Sequence, residues 1–132
     1  MLKETLTFND VLLVPQYSDI TSRSEVKTSS YLDGKQWFDL PIIASPMDTV
    51  TEDRMATCMS DAGGFGIIHR YNSIEDQCAM VRKVHGVKAA AIGMTGDYLD
   101  RASALYRSGA KILCVDVAHG HHTMMEKCLK GL

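Results

Sequence analysis

From residue 41 onward the chain alternates short, wholly apolar runs with longer stretches of helical periodicity. The runs are Pro41-Ile42-Ile43-Ala44, Gly66-Ile67-Ile68, Ala89-Ala90-Ala91-Ile92 and Ile112-Leu113-Cys114-Val115, with starts about 23 residues apart. None alternates polar and apolar positions. The pattern therefore predicts strands buried on both faces, as in a parallel sheet.

Each gap predicts a helix. In the first, Met55, Cys58, Met59 and Ala62 fall on one face and Gly63-Gly64 closes the helix. In the second, Ser73 and Asp76 resemble a capping box ahead of Ile74, Cys78, Val81 and Val84. The third places Leu99, Ala102, Leu105 and Tyr106 on one side and ends at Gly109; a fourth helix starts near His122 and carries Met125, Cys128 and Leu129. The order is β-α-β-α-β-α-β-α.

Residues 1–40 break the pattern. Leu6-Thr7-Phe8, Val11-Leu12-Leu13-Val14 and Tyr17 read as short extended pieces interrupted by Pro15, and Ser18 to Ser30 is polar. The expected organisation is an N-terminal extended strap, 1–40, packed on one end of a (βα)4 repeat, 41–132.

A βα repeat fits an open doubly wound sheet or a (β/α)8 barrel. A dinucleotide fingerprint would follow a strand and open a helix, whereas Gly63-Gly64-Phe65-Gly66 precedes its strand. Regular unit length and small strand residues favour the barrel. A complete barrel takes ~200–250 residues, so four units predict the N-terminal half of a TIM barrel, truncated before its second half.

Composition narrows the function classes. The chain has 132 residues, 45% hydrophobic and 23% charged, with a net charge of −2. That balance, with scattered Lys and Arg, argues against a nucleic-acid partner. No apolar run approaches the ~18–20 residues of a membrane span, and Met1-Leu2-Lys3-Glu4 does not open like a secretory signal. Cys58, Cys78, Cys114 and Cys128 form no C-x-x-C pair and read as small core residues in a reducing, cytoplasmic setting.

In a barrel the working groups follow the C-terminal ends of the strands. Those positions hold Ser45-Pro46-Met47-Asp48-Thr49, His69-Arg70-Tyr71, Gly93-Met94-Thr95-Gly96, and Asp116-Val117-Ala118-His119-Gly120-His121-His122. Each run turns polar or glycine-rich at the same phase of the repeat. Asp48 is open to two readings, a site carboxylate or a cap for the first helix. Arg70 is either a site cation or a solvated loop charge. Asp116 ends a buried strand, where a carboxylate needs a partner or a ligand. His119, His121 and His122 lack a familiar metal-ligand spacing, and no metal is assigned to them.

At these residues the sequence resembles the family of GMP reductase and inosine-5′-monophosphate dehydrogenase. The resemblance lies in Thr7-Phe8-Asn9-Asp10-Val11-Leu12-Leu13-Val14-Pro15, Ser45-Pro46-Met47-Asp48-Thr49-Val50-Thr51-Glu52, Gly64-Phe65-Gly66-Ile67-Ile68-His69-Arg70-Tyr71 and Val115-Asp116-Val117-Ala118-His119-Gly120-His121. Four motifs in family order cover nearly the whole chain. Dehydrogenases of the family usually carry paired CBS modules between the second helix and third strand, where only Arg82-Lys83-Val84-His85-Gly86-Val87-Lys88 stands here. With Ser22-Arg23-Ser24-Glu25 and the Asp116–His121 run, this favours the reductase; the Ser45–Glu52 run is more dehydrogenase-like.

The resemblance implies reduction of GMP to IMP and ammonia with NADPH. In that reaction a cysteine thiolate adds at purine C2, ammonia leaves, and a nicotinamide hydride resolves the adduct. It further implies that Ser45 and Met47 contact the purine nucleotide, GMP or IMP. Asp116, Val117 and Ala118 would line the nicotinamide side, and Ser22, Arg23 and Arg70 would approach the cofactor, arginine suiting the 2′-phosphate.

The family's nucleophilic cysteine follows a later strand, on a glycine-rich loop that this sequence does not reach. None of the four cysteines is assigned as catalytic. The expectation is the N-terminal part of a purine-nucleotide oxidoreductase, inactive without a C-terminal half, with a homo-oligomer or that complementary half as the partner that covers its unpaired strand edges. The alternatives are a dehydrogenase-like fragment and a non-catalytic nucleotide-binding or regulatory half-barrel.

Overall fold

The computed structural model describes residues 3–132; Met1 and Leu2, the start of the expected strap, lie outside the described residues. A short antiparallel hairpin, β1 (Ser30–Tyr31) and β2 (Trp37–Phe38), precedes a four-stranded parallel sheet. The sheet holds β3 (Ile43–Ala44), β4 (Phe65–Ile68), β5 (Ala89–Ile92) and β6 (Ile112–Val115), side by side in chain order. Helices α1 (Asp53–Asp61), α2 (Ile74–Lys83) and α3 (Tyr98–Arg107) fill the gaps, and α4 (Thr123–Gly131) follows β6. Among the described residues no helix is long and apolar enough to cross a membrane.

The helices share one face of the sheet. Alternate residues of the central strands, Ile68, Ala90 and Ile92, point into a core with Ala56 of α1, Cys78 and Val81 of α2, and Ala102 and Leu105 of α3. The opposite residues, Phe65, Ile67, Ala89 and Ala91, meet no helix; Phe38 of the hairpin packs there, its ring 4.9 Å from that of Phe65. A doubly wound sheet carries helices on both faces, so this arrangement excludes it. Both-face burial holds for β4 and β5, whereas the edge strands β3 and β6 are only partly covered.

Local chemistry sets the boundaries. Ser73 Oγ accepts the Asp76 N–H and caps α2. Helices α1 and α3 both end in Schellman turns: Gly63 and Gly64 donate to Ser60 and Met59, and Gly109 and Ala110 to Tyr106 and Leu105. Each turn delivers the chain directly into the next strand.

Three sequence expectations need correction. The buried residue of α1 is Ala56, while Met55 and Cys58 are exposed. The reason is a close approach: a β-carbon at Gly66 would stand 2.9 Å from Ala56 Cα, so the smallest side chains face each other and the larger ones are turned away. Leu99 and Tyr106 of α3 are likewise exposed, and Arg101 takes the buried position. The N-terminal segment does not pack on the repeat. Phe8, Leu12, Leu13 and Tyr17 are each at least 96% exposed. The hairpin, absent from the sequence reading, turns at Asp33, whose Oδ1 accepts from the Lys35 and Gln36 N–H groups.

Candidate functional site

The polar ends of the parallel strands gather at one end of the sheet, in two clusters. The first forms beyond β4, β5 and β6. Arg70 leaves β4 and lies over Gly93, so that a side-chain carbon at 93 would stand 3.6 Å from Arg70 Nη1. Its Nε sits 3.7 Å from Asp116 Oδ2 at the end of β6, and its guanidinium lies 5.3 Å from the Tyr71 ring centroid. Arg70 Nε is buried without a hydrogen-bond partner among the described residues. A cleft of about 290 Å³ opens beside it, bordered by Gly93, Thr95, Arg101, Val117 and Ala118 among others. The Asp116 backbone is fixed by its N–H donating to the Ile92 carbonyl. Beneath it, burial and then the Asp116 charge push the Cys114 thiol above its ordinary range.

A buried polar pair supports this cluster from below. Gln77, on α2 and fully buried, donates through Nε2 to the carbonyls of Ile68, His69 and Ala91, bridging the ends of β4 and β5. Its Oε1 accepts from Arg101 Nη1 at 2.8 Å. Arg101 Nη2 in turn donates to the Asn72 carbonyl and to Asp97 Oδ2. Neither Gln77 nor Arg101 stands out in the sequence, where polar side chains on helices read as solvated. Their signal was positional: both occupy places that an amphipathic pattern gives to core residues.

The second cluster surrounds the turn from β3 into α1. Thr51 Oγ1 donates to the Ser45 carbonyl at 2.6 Å, and the Val50 and Thr51 N–H groups donate to the Met47 carbonyl. Ser45 and Met47 are exposed at this turn. Asp48 does not cap the helix, because the N-cap position belongs to Glu52, which makes no side-chain capping bond. Instead Asp48 and Glu52 both face the buried His69 ring, each with a carboxylate oxygen 3.7 Å from Nε2.

The structure thus brings Arg70, Asp116, Val117 and Ala118 together and sets Ser45 and Met47 on the neighbouring turn. Ser22 and Arg23 lie in an exposed 3-10 turn and do not border the cleft. His122 caps α4 by accepting the Met124 N–H, and the His119 and His121 rings stand edge to face with centroids 6.5 Å apart. The cysteines divide: Cys78 and Cys128 are buried, Cys114 is half-buried and Cys58 is exposed.

Fold and site together define a parallel α/β domain with helices on one sheet face and its polar side chains collected beyond the strands' C-terminal ends. The particular family follows from comparison with known proteins. The family model of the IMP dehydrogenase / GMP reductase domain matches residues 5–132. The chain belongs to that family. A GMP reductase of Leishmania donovani is 55% identical over 83 residues, 63% of this chain and 17% of that protein. An inosine-5′-monophosphate dehydrogenase of Nitrosopumilus maritimus is 52% identical over 82 residues, 62% of this chain and 17% of that protein. The crystal structure of inosine 5′-monophosphate dehydrogenase from Legionella pneumophila superposes with a TM-score of 0.87 at 42% identity, covering 96% of this chain and 40% of that one. GMP reductase from Trypanosoma brucei, solved in complex with guanosine 5′-triphosphate, shares the fold with a TM-score of 0.90 at 23% identity, over 98% of this chain and 62% of that one. The matched segment is therefore a small part of the curated relatives.

Proposed function

We propose that this chain is the N-terminal half-barrel of a cytoplasmic purine-nucleotide oxidoreductase of the reductase type. The reaction converts GMP, NADPH and a proton to IMP, ammonia and NADP+. The observation that carries this reading is Arg70: a guanidinium with an unsatisfied buried Nε, held over Gly93 and beside Asp116 at the mouth of a polar cleft. Such a donor awaits an acceptor. The cleft's size suits a ring with its carboxamide rather than a whole dinucleotide. In this reading Asp116, Val117 and Ala118 border the nicotinamide, which supplies the hydride when bound. Arg70 offers its fork to the cofactor, and Ser22 and Arg23 join it once the N-terminal segment folds over the strand ends. Ser45 and Met47 meet the purine nucleotide. The remaining catalytic groups come from a complementary C-terminal half, and that half or a homo-oligomer covers the unpaired edges of β3 and β6.

The choice of reductase over dehydrogenase rests on the connection between α2 and β5. Only residues 84–88 separate them, and they are fastened to α1: Val87 N–H donates to Ser60 Oγ at 2.9 Å. No accessory module is inserted there.

Calorimetric titration of NADPH and NADH tests the reading. Arg70→Ala should weaken NADPH binding about tenfold or more, the loss of one charge-assisted contact. The 132-residue polypeptide alone should not oxidise NADPH in the presence of GMP, because none of its cysteines has the family's nucleophile context. Unchanged NADPH affinity in Arg70→Ala, or GMP-dependent turnover by the isolated polypeptide, refutes the assignment.

A further inference from the structure

The second cluster contains a buried donor with nothing to bind. His69 is 2% exposed, and its Nε2 is shielded from water and has no hydrogen-bond partner among the described residues. The tautomer follows from the other nitrogen. Nδ1 accepts the Tyr71 N–H at 3.2 Å, so it carries a lone pair and the ring proton resides on Nε2. A donating Nε2–H offers no lone pair to a metal. What it faces is two carboxylates, Asp48 Oδ1 and Glu52 Oε1, both at 3.7 Å. That is beyond the ~2.7–3.2 Å of a hydrogen bond.

The segment bearing Asp48 carries a second sign of incompleteness. Thr49, a β-branched residue, has φ 59, in the left-handed region. The far end of the same turn is already tied down, because the His69 N–H donates to the Thr51 carbonyl at 3.3 Å. One residue, His69, thus anchors the turn by its backbone and faces its open end by its side chain. Glu52 stands on the start of α1, whereas Asp48, 62% exposed, stands on the strained part that also presents Met47.

We propose that His69 is a positioning residue for the nucleotide-binding turn: Asp48 closes onto its Nε2–H when GMP engages Ser45 and Met47. This inference rests on the functional reading above for the identity of the ligand. Closure satisfies the buried donor with a charge-assisted bond and fixes the turn in the shape that meets the nucleotide. Glu52 is a bystander in this closure.

Titrations of GMP and NADPH into the full chain, with NMR of the His69 ring, test it. Asp48→Ala should weaken GMP binding about tenfold and leave NADPH binding unchanged, whereas Asp48→Asn, which keeps an acceptor, should recover most of the loss. His69→Phe should lose GMP affinity to the same degree, and His69→Gln, which keeps an N–H donor, should regain part of it. Glu52→Ala should have little effect. Equal losses for both ligands that track the melting temperature would reduce His69 to a structural role and overturn the inference. So would an unaltered GMP affinity in Asp48→Ala, or an Nδ1–H tautomer. Should the wild-type chain bind no GMP, the functional reading fails by itself, and the free chain decides the inference. An Nε2 proton protected from solvent exchange in the wild-type chain and in Glu52→Ala but not in Asp48→Ala supports closure onto Asp48; equal behaviour of the two variants overturns it.

Discussion

The N-terminal segment and the βα repeat are both rich in apolar residues, and they use them in opposite ways. In the repeat, Ile68, Ala90, Ile92, Val81 and Leu105 are almost fully buried, because each lies on an element whose period presents it to another element. Between residues 3 and 22, Phe8, Leu12, Leu13 and Tyr17 are almost fully exposed. Their hydrophobicity is no lower. What they lack is contact with another element, and apolar content without a partner makes no core. Phe38, at the end of the hairpin, packs across from the hairpin onto the repeat, against Phe65 and Ile67.

The contrast can be broken most severely inside the repeat. Gly66→Val places a side chain where Ala56 Cα stands 2.9 Å from an ideal β-carbon, and α1 must move off β4. The expected loss is about 3 kcal/mol, read from urea unfolding; a loss below about 1 kcal/mol would mean the α1–β4 contact is looser than described. Gln77→Leu comes next. It strips three strand-end carbonyls of their donor and Arg101 of an acceptor, at a cost of about 2–3 kcal/mol. On the function proposed above it should also loosen NADPH binding, because Arg70 and Gly93 leave those strand ends.

The cysteines sharpen the comparison. Cys78→Ala should cost about 1–2 kcal/mol and Cys58→Ala less than about 0.5 kcal/mol. In a timed thiol-labelling assay Cys58 should react first. Cys128, whose thiol burial pushes above its ordinary range, should react only as the protein unfolds. Smaller still is the effect of deleting residues 3–20. With no buried contacts to lose, the unfolding free energy should change by less than about 0.5 kcal/mol, and a larger drop would reveal packing of this segment in solution. Smallest is a local effect of acid. The Thr7 N–H and hydroxyl donate to Asp10 and hold its carboxyl below the usual range. A lowered folded value means that the turn is favoured above the ordinary carboxylate range and released as pH falls through the lowered value. The Thr7 amide signal should follow that titration.

Much of the repeat was legible in the sequence because doubly buried strands are written as continuous apolar runs, and three of the four strands fall within a residue of where those runs lie. The face of α1 was not legible. Its contact is decided by the smallest residues, Ala56 and Gly66, and a hydrophobicity pattern ranks Met55 and Cys58 above them. The hairpin escaped because its strands are two residues each, although aromatic Tyr31 and Trp37 flanking Asp33-Gly34 were a usable turn signal. At the site, Arg70 and Asp116 could be placed at the same end of the sheet from the phase of the repeat alone, but their 3.7 Å approach could not. Gln77 and Arg101 could not, since their burial depends on satisfying each other across two helices. His69 was visible as a residue at a strand end, but its tautomer is set by the Tyr71 backbone and appears only in three dimensions.

The sequential strand order also bears on how the chain acquires its shape. Ile43 pairs with Phe65, Ile67 with Ala89 and Ala89 with Ile112, so every pairing joins positions 22 or 23 residues apart. No strand waits for a distant one, and loop closure is equally short at each step. A chain emerging from the ribosome can therefore complete β3–α1–β4, then add α2–β5, then α3–β6, each unit docking on a surface already formed. At every stage one unpaired edge stays with β3 and the other belongs to the newest strand, so the template for the next unit is always the part of the protein made last.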